Sequence, residues 1–154
     1  MKAPVVIAGI HRLPARRADA VDSIYALPKK LADAGVPFCI ATGSDPSNER
    51  HLPDHAATAA AYGLSRDMAL QSVTSSAAQI AGIGDRVGSL APGKLATLQI
   101  SSGEPLEMTT EPVVIFSEGR RVDFGDRQKR LDVKYREKYR RMGLLPAAAA
   151  PTEP

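Results

Sequence analysis

A chain of 154 residues is the size of one ordinary domain, and when compact it buries about 68–70% of the surface of its unfolded state. Hydrophobic residues at 44% and charged residues at 24% exclude a disordered or fibrous chain, while 5% aromatics and no Trp leave the packing to alanine and short aliphatics. The single cysteine, Cys39, excludes an internal disulfide framework, no run approaches the roughly 20 apolar residues of a membrane span, and the net charge of +3 is uneven, with eight Lys or Arg against two acids in residues 127 to 141.

Lys2 precedes the apolar run "PVVIAGI", which leads into "HRLPARR" without an A-x-A-like cleavage site and so differs from a secretory signal. A soluble and, by default, cytoplasmic protein is expected. The run itself is continuous and β-branched, the pattern of a strand buried on both faces. "RLPARRADAVDS" is polar and loop-like. "YALPKKLADAG" carries Leu27, Leu31 and Ala34 at helical spacing, with Pro28 suited to a first turn and Gly35 to a C-terminal cap. A second apolar run, "VPFCIATG", follows, and strand, helix, strand in this order predicts a βαβ unit with parallel strands.

The next helix is expected to start near Pro53, with the Ala-rich face of "DHAATAAAYGL" close against a sheet and Gly63 ending it. "SRDMALQSVTSSAAQIAGI" reads as one or two short helices with Ser65 as N-cap and Met68, Val73, Ala77 and Ile80 as the buried stripe. After Gly84 the pattern changes to short β-type runs, "VGSLAPGK", "LATLQIS", "PVVIFSEG" and "RRVDF", with "SEGR" as a hairpin turn. A basic helix follows, and "LLPAAAAPTEP" is low-complexity and expected to be disordered. The expected division is an α/β part over 1–83, a β part over 84–125, the basic helix over 126–143 and a tail over 144–154. Two parallel strands do not cover their own faces and edges, so further strands are expected ahead of Met1.

Four blocks carry a resemblance: "YALPKKLADAGVPFCIATGSD", "NERHLPDHAATAAAYGLSRDMALQSVTSSAAQIAGI", "DRVGSLAPGKLATLQISSGEPLE" and "VVIFSEGRRVD". In this order they resemble the C-terminal portion of metal-dependent amidohydrolases, the imidazolonepropionase-like branch in particular. The resemblance implies the last two strand-helix units of a (β/α)₈ barrel, a partial β-sandwich and a C-terminal helix. It also implies hydrolysis of non-peptide carbon–nitrogen bonds of a small-molecule substrate by metal-activated water, with zinc the expected metal of the intact family. A whole barrel takes about 250 residues, so a truncated or split form, inactive alone and binding no metal alone, is expected. Its partner would be a complementary N-terminal chain, or the chain would self-associate.

Asp45, at the end of "ATGSD", matches the family's metal-binding carboxylate that takes a proton from the attacking water. Taken as a residue type before Pro46, it is an Asx-turn residue. The loop "NERHLP" follows the same strand, and the resemblance makes Arg50 and His51 substrate contacts. His51 and His55 are four apart, but "HLPDH" lacks the Glu of H-E-x-x-H and Pro53 leaves His51 before the helix, which argues against a metal pair. His11 reads as a polar loop residue and Cys39 as an inert buried thiol. "GSLAPGK" lacks the phosphate-loop spacing, and its continuation "LATL" puts Leu95 and Thr97 where the family carries acids. Leu131, Tyr135, Tyr139 and Met142 form an apolar stripe on the basic helix, favouring a docked helix with a solvated basic face. The alternative is a non-catalytic fragment that binds an acidic partner or nucleic acid through that face, although no RNA-binding aromatic motif accompanies it.

Overall fold

The structure, a computed structural model, describes residues 2–43, 46–125 and 127–146. Strand β1 (Val5–Ala8) pairs in parallel with β2 (Phe38–Ala41), Val5 opposite Phe38 and Ala8 opposite Ala41. Helix α1 (Leu27–Asp33) makes the crossover, as the βαβ pattern predicts. Pro28 occupies its first turn, where a missing N–H costs nothing, and Gly35 follows its end at φ +60, a conformation open to a residue without Cβ.

After β2 a 3₁₀ helix, Pro46–His51, runs directly into α2 (Leu52–Ala61). Gly63, at φ +98, terminates α2. Helices α3 (Arg66–Val73) and α4 (Ser75–Ile80) follow, and the Ser65 hydroxyl accepts the Met68 N–H as the expected N-cap. Thr74, at φ −126 and ψ −95, breaks the run into two helices. The break shifts the buried face. Ala69, Ser72 and Ala78 are buried, whereas Met68 is 38% exposed and Val73, Ala77 and Ile80 are half-buried. The expected stripe is thus out of phase, because small residues, not the largest ones, allow these short helices to sit close.

Strands β3 (Leu98–Ser101), β4 (Pro112–Ser117) and β5 (Arg120–Val122) form a second sheet in the order β3-β4-β5. Leu98 stands opposite Phe116 in the antiparallel β3–β4 pair. Between β4 and β5, Glu118 and Gly119 both have positive φ, +51 and +81, as a two-residue type I′ turn requires. "VGSLAPGK" is not a strand, contrary to expectation: it is a loop closed by Lys94, whose ammonium bonds the Gly84 carbonyl and the Ser89 hydroxyl. Helix α5 (Arg127–Arg141) is the basic helix. By compactness the chain divides into Met1–Arg121 and Val122–Pro154.

The core joins Ile7, Ile10, Phe38 and Ile40 to Ala56 and Ala59 of α2, Leu64, Ala69 of α3 and Leu106. The faces that two parallel strands alone would leave open are partly covered by the chain itself, with Ile7, Phe38 and Ile40 buried. β2 is buried on both faces, but β1 alternates, with Ile7 inward and Val6 56% exposed. The helices cover one face of β1 and leave the other open. Leu106 is held against the core by its loop, where Arg66 at the start of α3 pairs with Glu104 and Glu107.

Gly88 explains why the loop motif opens on a glycine. A Cβ there would stand 2.6 Å from the Ala78 Cβ and 3.1 Å from Ser75 Cα, and φ is +89. Gly93 has a similar φ, +86, but open space around it. Gly93→Ala should therefore cost about 1–2 kcal/mol from the left-handed backbone alone. Gly88→Ala should cost roughly 1–3 kcal/mol more from the clash, read as the difference between two denaturant melts.

Candidate functional site

Three histidines are present in the chain, and all three gather beyond the C-terminal ends of β1 and β2. At the end of β1, the Gly9 N–H donates to the Ala41 carbonyl at 2.7 Å, which keeps the two chains together for one more residue. Gly9 has φ +79, and a Cβ on it would meet the Thr42 carbonyl at 3.5 Å. The turn it permits drives Ile10 fully into the core. The Ile10 N–H then has no strand partner, and it donates instead to His55 Nδ1 at 2.9 Å.

That bond sets the His55 tautomer: an Nδ1 that accepts leaves the proton of the neutral ring on Nε2. His55 is 5% exposed, and His11 stacks on it at 4.2 Å between centroids and 25° between planes. The Thr58 hydroxyl donates to the Asp54 carbonyl at 2.9 Å, so it accepts from His11, whose Nε2–H lies 2.8 Å away. His51 is the opposite tautomer. Its Nδ1–H donates to Asp54 Oδ2 at 2.8 Å and its Nε2 accepts from Arg50 Nε at 3.1 Å.

Arg50 and His51, the expected substrate contacts, are therefore brought together at the end of the 3₁₀ helix, Arg50 exposed and His51 half-buried. Asp45, the expected catalytic and metal-binding residue, lies outside the described residues, in the two-residue step between Gly43 and Pro46. Cys39 is a free, buried thiol whose pKa is raised by burial, as an inert cysteine in a strand should be. What spacing alone did not reveal is the His11–His55–Thr58 contact, in which His11 is more than 40 residues from the other two. The one available signal was His55 on the buried, Ala-rich face of α2, where a polar side chain needs a partner.

The donor set does not suit a metal ion. His51 uses both nitrogens, His55 commits its lone pair to Ile10, and only His11 Nδ1 keeps a lone pair with no partner among the described residues. Among those residues no group of three or more His, Cys, Asp or Glu side chains is placed to hold one. The described arrangement orients side chains and orders hydrogen bonds at a strand terminus, and a divalent metal would need ligands from elsewhere.

Burial, and after it the neighbouring His11, lower the pKa of His55 below the usual imidazole range, and the Asp54 carboxylate offsets them only in part. The unfolded chain then takes up a proton that the folded chain resists, so this contribution to stability is whole above about pH 6.5 and is lost as pH falls from there toward the folded value. Lowering the pH from about 8 to 5 should reduce the melting temperature more in the wild type than in His55→Asn, whose amide oxygen can accept the Ile10 N–H without titrating. Parallel curves would show that His55 does not carry the effect.

Residues 5–125 match the amidohydrolase family. Among solved structures, an amidohydrolase from Thermotoga maritima MSB8 is similar at 28% identity and TM-score 0.63, over 71% of this chain and 29% of that one. A second crystallised amidohydrolase is 21% identical with TM-score 0.62, over 79% and 35% respectively. The 5-methylcytosine deaminase from Klebsiella pneumoniae, liganded with phosphonocytosine, shares the fold at 24% identity and TM-score 0.50, over 64% of this chain and 27% of the deaminase. The chain thus spans about three tenths of the length of the structures it matches. No curated protein matches it. Among the described residues no helix is long and apolar enough to cross a membrane.

Proposed function

Because the chain belongs to the amidohydrolase family, we propose that it supplies the last two strand-helix units of a (β/α)₈ barrel and part of an accompanying β-sandwich, in the imidazolonepropionase-like branch. The completed barrel hydrolyses non-peptide carbon–nitrogen bonds in a small molecule. The observation that carries this reading is the parallel β1–β2 pair with the histidine cluster beyond its C-terminal ends, and Asp45 follows β2 in the sequence. Barrels of this kind carry their chemistry at the C-terminal ends of the strands.

Each residue's role follows from its place. Asp45 takes a proton from the attacking water, the task of the family carboxylate it matches. Arg50 holds a carbonyl or carboxylate oxygen of the substrate, its guanidinium steadied through Nε on His51. His51, fixed by Asp54, keeps Arg50 in place. A divalent metal, zinc first, belongs to the completed barrel and takes its further ligands from the portion outside this chain. That portion also covers the exposed Val6 face of β1, so a complementary N-terminal chain, or failing that a second copy, is the proposed partner.

The test is complementation. The 154-residue chain alone, supplied with zinc or manganese, should hydrolyse no amide or lactam substrate. Co-expressed with the segment of the Thermotoga maritima amidohydrolase that precedes its matched portion, it should form a complex that does. Asp45→Asn should lower kcat/KM of that complex by about a hundredfold or more, the scale of a lost general base. Hydrolysis by the chain alone that disappeared in Asp45→Asn would refute the need for a partner, and an inactive complex would remove the catalytic reading.

A further inference from the structure

Helix α5 concentrates positive charge in a chain that is otherwise mildly acidic. Eight of the 20 Lys and Arg but only two of the 17 Asp and Glu lie in residues 127 to 141, leaving twelve cations against fifteen anions elsewhere. Both acids of the helix are already paired, Asp132 with Arg136 and Glu137 with Arg141, each at 2.8 Å. The helix therefore has no acid left to neutralise its other cations.

Helical geometry then sorts the cations of the helix, the Glu137-paired Arg141 among them. Arg127, Arg130, Lys134, Lys138 and Arg141 recur at intervals of three or four, which puts them on one stripe about 21 Å long at 1.5 Å per residue. Leu131, Tyr135 and Tyr139 recur at intervals of four on the adjoining stripe, and all three are exposed. The two tyrosine rings stand 6.4 Å apart and tilted by 30°, and the Lys138 ammonium lies 6.0 Å from the Tyr135 ring centre. A row of cations beside a row of open aromatic rings is the chemistry that takes a polyanion with flat, stackable groups along it.

We propose that α5 is a docking surface for single-stranded nucleic acid, its phosphates along the Arg127–Arg141 stripe and its bases on Tyr135 and Tyr139. Strands of this kind are held where positive charge tracks the backbone and aromatic side chains take the bases without sequence preference. A duplex hides its base faces and would leave the tyrosines unused. A lipid surface fits less well, because the adjoining stripe holds one leucine and two tyrosines within a helix that is otherwise almost wholly polar. An acidic protein helix would meet the cations but has no use for paired exposed rings. This surface does not depend on the catalytic proposal.

The test uses the full chain and a labelled oligothymidine of about 12 nucleotides, within the usual site size of such proteins, followed by fluorescence anisotropy. Binding should weaken with salt with a log–log slope of about −3, as four phosphate contacts on a single strand imply. Lys134→Gln with Lys138→Gln should lower affinity more than about tenfold, whereas Arg136→Gln with Arg140→Gln, an equal loss of charge on other faces, should change it less than about threefold. Tyr135→Ala with Tyr139→Ala should cost roughly tenfold for the single strand and leave binding of the matching duplex unchanged. Circular dichroism of each variant confirms that the helix persists, and a variant that lost it would be replaced by its Lys→Arg or Tyr→Phe counterpart, which should bind as the wild type does. Equal losses in the two charge variants, indifference to the tyrosines, or binding to phosphatidylserine vesicles but not to the oligonucleotide would each overturn the proposal.

Discussion

The hydrogen bond from the Ile10 N–H to His55 Nδ1 is the constraint on which the described site depends. β1 ends at Ala8, and Gly9 extends its pairing by one bond to Ala41. Ile10, fully buried just beyond, would otherwise carry a backbone donor into an apolar core, which costs about 1–3 kcal/mol when left unmade. The acceptor comes from α2, the helix that follows β2. One bond therefore ties the end of the first strand to the segment that follows the second. It fixes His55 as the Nε2–H tautomer, and that ring in turn presents the face on which His11 stacks. The order His55, His11, Thr58, Asp54, His51, Arg50 is then a chain of contacts leading from the core to the solvent-facing Arg50.

Close packing makes that bond possible. Ala56 and Ala59 of α2 are fully buried, and with no side chain beyond Cβ they let the helix approach the sheet closely enough for His55 to reach a backbone amide. The same economy recurs at α4, where Gly88 leaves no space for even one added methyl group against Ala78. A chain poor in aromatics thus gains its density from small residues at the contacts, with Ile7, Ile10, Phe38 and Ile40 filling the layer between. β2, buried on both faces, is held centrally, while β1 keeps Val6 open. In the proposed function, that open face is the one the rest of a barrel would cover.

Local chemistry made much of this legible in advance. Pro28, Gly35, Gly63 and Ser65 act within a few residues of themselves, and each stands at the helix end where its backbone preference puts it. The parallel pair followed from strand, helix, strand, because only a crossover of that kind connects parallel neighbours. Burial was less legible. "PVVIAGI" reads as buried on both faces, yet which face of β1 is covered is decided by helices that come later in the chain. Met68 outranks Ala69 by hydrophobicity, but the Thr74 break decides which side of α3 and α4 turns inward. The histidine cluster was illegible for the same reason, since Ile10 and His55 are 45 residues apart and no local pattern records their meeting. The role proposed for Asp45 rests only on the resemblance of its block, which lies within the family match over residues 5–125.

The most direct test of this account is a nitrogen-15 NMR measurement of the His55 ring and the Ile10 amide in the intact chain at about pH 7, where a lowered imidazole is neutral. The account predicts a scalar coupling across the hydrogen bond between Ile10 N and His55 Nδ1, ring shifts of the Nε2–H tautomer, and slow exchange of the Ile10 amide. A His55 that carries its proton on Nδ1, together with an Ile10 amide that exchanges as freely as one in a loop, would contradict it, because the strand end and α2 would then not be joined in the way the site requires.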